Sequence, residues 1–352
     1  MTARPEAMSP AALTDRLARF ATTHAAASAG DGVRVLKQTR VTVVRSGGVV
    51  VKAHPEGTGE AALNARLRVA RTLPGILLPP LTERAERVGG RLVTMWPAGE
   101  PVDPADPDAA PWEAAAELLA RLHAVPSTGL PLPPAGGPSR LLESVTHLSR
   151  LGGPESPLDG SYTGAVDVIQ AAFGTLPRDL IGTVPSDSFG RPPGDLSGTP
   201  PRDLSGAGRE VYVSSSGPVG GRVTHGDWHL GQIVRYKGEW LLIDVDDLGD
   251  GLTAWDLARP AAWYATGFLA PGLWERFLTA YLRAGGAAVS PEDPWRELDV
   301  PARALTVQLA ATAVAAAHTE GRPLDDVEQD LVSSCGRIIS AAAATAGSPQ
   351  TT

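Results

Sequence analysis

Residues 222–258 concentrate the side chains that could do chemistry. They read Arg-Val-Thr-His225-Gly226-Asp227-Trp228-His229-Leu230-Gly231-Gln232, then Trp240-Leu-Leu-Ile-Asp244-Val-Asp246, then Trp255-Asp256-Leu-Ala258. Two short apolar runs, 232–236 and 240–243, flank Lys237-Gly238-Glu239, the pattern of a β-hairpin. A hairpin holds its ends together, so Asp227 and Gln232 enter where Asp244 leaves. One carboxylate able to take a proton and two side-chain oxygens able to ligate a hard cation thus converge on one spot. The bland alternative for Asp227 and Asp244 is a pair of turn-capping aspartates.

The order and spacing of these groups resemble the aminoglycoside phosphotransferase family, kinase-like enzymes that include aminoglycoside, choline and homoserine kinases and, more distantly, maltokinases. Their catalytic loop is His-Gly-Asp-x-His-x-x-Asn, and His225 to Gln232 matches it with Gln in the last place, a version similar to that of maltokinase-like sugar kinases. The resemblance implies that Asp227 accepts the proton of an attacking hydroxyl. Asp244 would hold Mg²⁺ bridging the phosphates of ATP, and Gln232 would supply a second metal oxygen one methylene further out than Asn. His225 and His229 would buttress the loop rather than react. Asp256 is expected to cap a helix beginning at Leu257 and to tie down the catalytic loop. Asp246 stays open between the metal site and a turn cap.

These groups need elements to position them. Leu13, Leu17 and Phe20 predict an amphipathic helix over 10–24. Strands are expected at 33–36, 41–44 and 49–52, a helix at 59–73 stopped by Pro74-Gly75, and two strands at 81–87 and 91–96 turned by Gly89-Gly90. By the resemblance Lys52, ending the third strand, binds phosphate, and Glu60, opening the next helix, is its partner carboxylate. The first strand turn lacks the protein-kinase glycines, so Thr39 and Arg40 would have to cover the phosphates. Residues 95–101 resemble the family's hinge; Pro97 has no N–H, which points to the Trp96 carbonyl and the Ala98 amide for adenine. Residues 97–111 hold five prolines and no strand pattern. Helices follow at 112–123, 140–151, 160–176, 273–284, 301–318 and 325–344. The expected fold is α+β and bilobal, protein kinase-like: a β-rich lobe over 1–96 that includes the opening helix, a hinge and linker at 97–111, and a helical lobe over 112–352. Within it, 177–221 carries three Asp-Leu-containing near-repeats without periodicity, read as a disordered insertion or a lid.

Composition bounds the partners. The chain has 352 residues with 31 Lys+Arg against 39 Asp+Glu, a net charge of -8, so it lacks the basic footprint of a nucleic-acid binder. One cysteine excludes an intramolecular disulfide framework, and neither an export signal nor a membrane span is evident, so a cytoplasmic setting is expected. The expected activity is ATP- and Mg²⁺-dependent phosphorylation of a small-molecule hydroxyl, with an aminoglycoside or amino sugar slightly favoured by the acidic charge. The alternatives are a Ser/Thr kinase acting on a peptide in a modified-peptide pathway, and a pseudokinase that binds a nucleotide or a partner. Sequence leaves the oligomeric state open.

Overall fold

A computed structural model describes residues 9–24, 32–151, 160–177 and 221–347. The chain opens with helix α1 (Pro10–His24), then strands β1 (Val33–Gln38), β2 (Thr42–Ser46) and β3 (Val49–Ala53), helix α2 (Glu60–Thr72), and strands β4 (Glu86–Val88) and β5 (Arg91–Pro97). The strands form one antiparallel sheet in the order β1-β2-β3-β5-β4. Alternation decides what each face does. Val49, Val51 and Ala53 of β3 with Val93 and Met95 of β5 lie buried under Leu13, Leu17, Phe20 and Ala21 of α1. Val50 and Lys52 therefore point to the opposite face, and so do their register partners Trp96 and Thr94. The opening helix is thus the cover of the sheet's outer face. The fourth strand is shorter than the expected 81–87, because Leu81 spends its N–H on the Met95 carbonyl outside any regular ladder.

The second lobe runs through β6 (Glu100–Pro101), α3 (Trp112–His123), α4 (Gly137–Leu151), α5 (Gly160–Gly174), β7 (Val223–Thr224), β8 (Ile233–Tyr236), β9 (Glu239–Leu242), β10 (Gly249–Asp250), α6 (Ala254–Thr266), α7 (Pro271–Arg283), α8 (Trp295–Glu320) and α9 (Asp326–Gly347). The proline-rich linker carries a strand after all: β6 pairs with β8, which pairs with β9. The core is continuous between the lobes, with Leu63 and Leu67 of α2 in the same cluster as Ile233 and Leu242. Backbone bonds lock that contact, since Leu78 N–H donates to the Leu242 carbonyl and Leu242 N–H to that of Ile76. The 233–242 hairpin is thereby fixed against the first lobe.

Helix α8 begins at Trp295, ahead of the expected 301, and carries Pro301 in its interior. It is long and apolar enough to pass as a membrane span, but 67% of its most apolar window is buried inside the protein, where it forms the axis of the helical lobe. Apart from its two end residues, the 177–221 insertion lies outside the described residues.

Candidate functional site

The catalytic loop is held by one buried carboxylate. Asp256, fully buried on α6, accepts the amides of His225 at 2.6 Å and Gly226 at 2.8 Å. Its Oδ2 also meets His123 Nε2 at 3.0 Å, and His123 Nδ1 pairs with the Tyr281 hydroxyl at 2.8 Å, so α3, α6 and α7 all clamp the loop. The expected tie is present; the expected cap is not, because α6 starts at Ala254 and Asp256 lies inside its first turn. Burial pushes the Tyr281 phenol pKa up, which keeps it a neutral partner. Gly226 sits at φ +87° with the Asp247 carbonyl where a Cβ would be, so only glycine fits. His225 donates from Nε2 to the Ile243 carbonyl at 2.8 Å, and His229 Nδ1 accepts from Gly231 N–H at 3.0 Å. Both act on backbone, as expected. Burial, with Arg259 nearby, lowers the His229 pKa to about 4, so the ring is neutral near pH 7.

Asp227 is gripped by two arginines that the sequence did not single out. Arg259 Nη2, on α6, donates to its Oδ1 at 2.7 Å. Arg140 Nη1, at the start of α4, lies 3.3 Å from its Oδ2. Arg140 is anchored more tightly by Asp247, whose Oδ2 takes Nε at 2.6 Å and Nη2 at 2.5 Å. Burial opposes the Arg140 charge, but Asp247 and Asp227 outweigh it and raise its pKa. Arg259 had a usable signal, lying three residues after Asp256 and so one helical turn along the same face. Arg140 had none, because its helix is remote in sequence.

The second cluster lies where the hairpin's second strand leaves, at the same open end that the Asp227 loop enters. Lys52 Nζ sits 2.6 Å from Asp244 Oδ1 and 2.8 Å from Asp246 Oδ2. His54 braces Asp246 from Nδ1 at 3.2 Å and meets Thr94 Oγ1 through Nε2 at 2.9 Å. Burial pulls the Lys52 ammonium down, but Asp246 and Asp244 overcome it and hold its pKa above the ordinary value. Burial pushes both carboxylates up, and Lys52 outweighs it and holds both below their ordinary range. Asp244 is held at φ 61°, ψ 68°, a left-handed conformation uncommon for a non-glycine residue and found at sites where geometry is imposed. Gln232 Nε2 donates to Asp244 Oδ2 at 3.4 Å. Two carboxylates and an amide make a hard donor set. Among the described residues no group of three His, Cys, Asp or Glu could hold a metal by itself. The oxygen donors are of the kind Mg²⁺ takes, one or two carboxylates with the shell completed by water and phosphate oxygens.

Two expectations need correction. Glu60 is not the partner of Lys52: it is exposed and pairs with Arg87 at 2.6 Å, while Asp244 and Asp246 take the lysine. The Ala98 amide donates to the Gly48 carbonyl at 2.8 Å and is spent. The Trp96 carbonyl is spent too. His54 N–H donates to Leu92 O on the same ladder, so the Val50–Trp96 pair, in phase with both bonds, is a hydrogen-bonded pair. In the β1–β2 turn, Thr39 commits its amide to the Val41 carbonyl, and Arg40 is exposed with its carbonyl held by Arg91 Nη2.

No protein-family model and no curated protein matches the chain. Solved structures match it over nearly its whole length. A choline/ethanolamine kinase family protein from Mesorhizobium loti superimposes with a TM-score of 0.50 at 15% identity, covering 94% of this chain and 96% of that one. Choline kinase LicA from Streptococcus pneumoniae gives 0.50 at 14% identity, with 88% and 93% covered. Spectinomycin phosphotransferase APH(9)-Ia, solved in complex with ADP and spectinomycin, gives 0.50 at 13% identity, with 94% and 98% covered. The likeness is one of fold. The chain has the bilobal α+β architecture of the choline kinase and aminoglycoside phosphotransferase structures, as the catalytic-loop resemblance implied.

Proposed function

We propose that the protein is an ATP-dependent phosphotransferase acting on a hydroxyl group of a small molecule. One observation carries the reading: a carboxylate on a loop clamped by Asp256 enters the open end of a rigid hairpin, and the same end, where the second strand leaves, presents Asp244 and Asp246 against Lys52. Asp227 takes the acceptor's proton as its oxygen bonds to the γ-phosphorus and the bond to the β–γ bridging oxygen breaks, releasing ADP. Lys52, released from one carboxylate, turns to the phosphates. Asp244, Asp246 and Gln232 would hold Mg²⁺, which when bound neutralises phosphate charge. The phase of the β3–β5 ladder leaves the Pro97 carbonyl and the Gly99 amide facing away from β3, and these are the hinge groups proposed for adenine.

The amino-sugar acceptor expected from net charge finds little support at the site. An amine needs a free carboxylate, and Asp227, Asp244, Asp246 and Asp247 are each paired with a cation of the chain. The peptide reading rested on the 177–221 segment and has no further support among the described residues.

The test is ADP release across a panel of hydroxyl acceptors. Asp227→Ala should lose turnover by about 10²–10⁴-fold, the range for a positioned base, while still binding Mg-ATP. Turnover at the wild-type level in that variant would overturn the assignment.

A further inference from the structure

The two arginines on Asp227 form a group whose donors outnumber its acceptors. Arg259 spends Nη2 on Asp227, and its Nε is buried without a hydrogen-bond partner in the protein. Arg140 spends Nε and Nη2 on Asp247 and only the loose 3.3 Å contact of Nη1 on Asp227. With a guanidinium on each oxygen of Asp227, an incoming hydroxyl competes with Arg140 for Oδ2. Arg140 holds by the longer contact and is the more exposed, at 38% against 13%. Its Nη1 can leave Asp227 while Nε and Nη2 stay on Asp247.

Resting on the phosphotransferase reading, we propose that the acceptor is an anionic hydroxy compound, carrying a carboxylate or another oxyanion a few bonds from the hydroxyl that is phosphorylated. Its oxyanion takes the Arg140 guanidinium, and its hydroxyl takes the Asp227 Oδ2 that Arg140 vacates. An oxyanion accepts from Nη1 in place of Asp227 and replaces the lost charge-assisted bond with an equivalent one. A neutral acceptor offers Arg140 no anionic replacement, and a cationic one brings a charge of the wrong sign. Acceptor charge and release of the base are thus one event, and Arg140 is a specificity-determining residue.

The experiment compares glycerate and gluconate with glycerol, glucose, glucosamine and kanamycin. ADP release gives kcat and KM, and calorimetry measures acceptor binding in the presence of Mg²⁺ and a non-hydrolysable ATP analogue. The acids should be preferred in turnover, or in binding if none turns over. Arg140→Gln should raise KM for the acids by about tenfold or more, the size of a lost charge-assisted pair, and leave KM for ATP within about twofold. Arg140→Lys should restore part of it. A preference for glycerol, glucose or the amines overturns the inference and leaves the phosphotransferase standing; so does an unchanged acid KM in Arg140→Gln. Absence of both Mg-ATP binding and ADP release overturns both.

Discussion

At the scale of single residues, the site is a set of charges already paired within the chain, and each prediction asks what happens when one pair is undone. Gln232 reaches Asp244 only at 3.4 Å, through its amide nitrogen. Gln232→Asn withdraws the amide by a methylene, so the Mg²⁺ concentration needed for half-maximal ADP release should rise by about tenfold, the scale of lost supporting contacts at metal sites. An unchanged metal requirement would remove Gln232 from the metal's surroundings. His229 makes a pH prediction. Its pKa is lowered from 6.5 to about 4 in the folded protein by burial and by Arg259. Between those values the unfolded chain binds a proton that the folded one does not. The ring's contribution is therefore complete above pH 6.5 and is lost as pH falls toward 4. The loss is at most about 3 kcal/mol. Denaturant titrations at pH 7 and pH 4.5 should show a smaller decline in His229→Gln than in the wild type; equal declines would mean the ring titrates normally.

At the scale of elements, stability and catalysis meet in Asp256. Asp256→Asn places an NH₂ against a backbone N–H or the His123 ring, and leaves a buried donor unsatisfied. The expected cost is about 3 kcal/mol in a denaturation experiment, with a fall in kcat as the Asp227 loop loosens. A variant with wild-type stability and slowed turnover would instead place Asp256 in the chemistry. Helix α1 gives a test remote from the site. Leu17 is fully buried between α1 and the sheet, so Leu17→Ala should cost about 2–5 kcal/mol while KM for the acceptor stays put. The elements with long clean periodicity, Pro10–His24 and Trp112–His123, were legible because one face of each carries nearly all the apolar side chains. Helix α8 was misplaced at its start because Pro301 imitates a first-turn proline, although three residues earlier Leu298 is already buried in the core. The two-residue strands β6, β7 and β10 carry no pattern at all; tertiary partners create them. The site divides the same way. The placing of Asp227, Gln232 and Asp244 about one spot was legible because one hairpin's two ends carry them. Glu60 was misassigned, because whether a helix carboxylate or two loop aspartates takes Lys52 depends on how the lobes are docked. The Trp96 carbonyl and the Ala98 amide were offered as free although the sheet engages them, since which backbone groups a ladder spends leaves no trace in sequence.

At the scale of the whole molecule, the net charge of -8 and the cationic groups at the site pull in opposite directions. Mg-ATP is an anion, as is the proposed acceptor. From beyond a Debye length, about 8–10 Å at ordinary ionic strength, an approaching ligand responds to the summed charge and is repelled. Within the cleft Lys52, Arg140 and Arg259 are each neutralised by aspartates, so they supply contacts but little field beyond it. Association should therefore speed up with salt, by about twofold between 0.02 and 0.15 M, the reverse of an electrostatically steered pair. Stopped-flow binding of a fluorescent ATP analogue at fixed free Mg²⁺ reads this directly. A rate that falls with salt would mean the cluster is not internally balanced, and that the arginines reach out to the ligand before Asp227 and Asp247 release them.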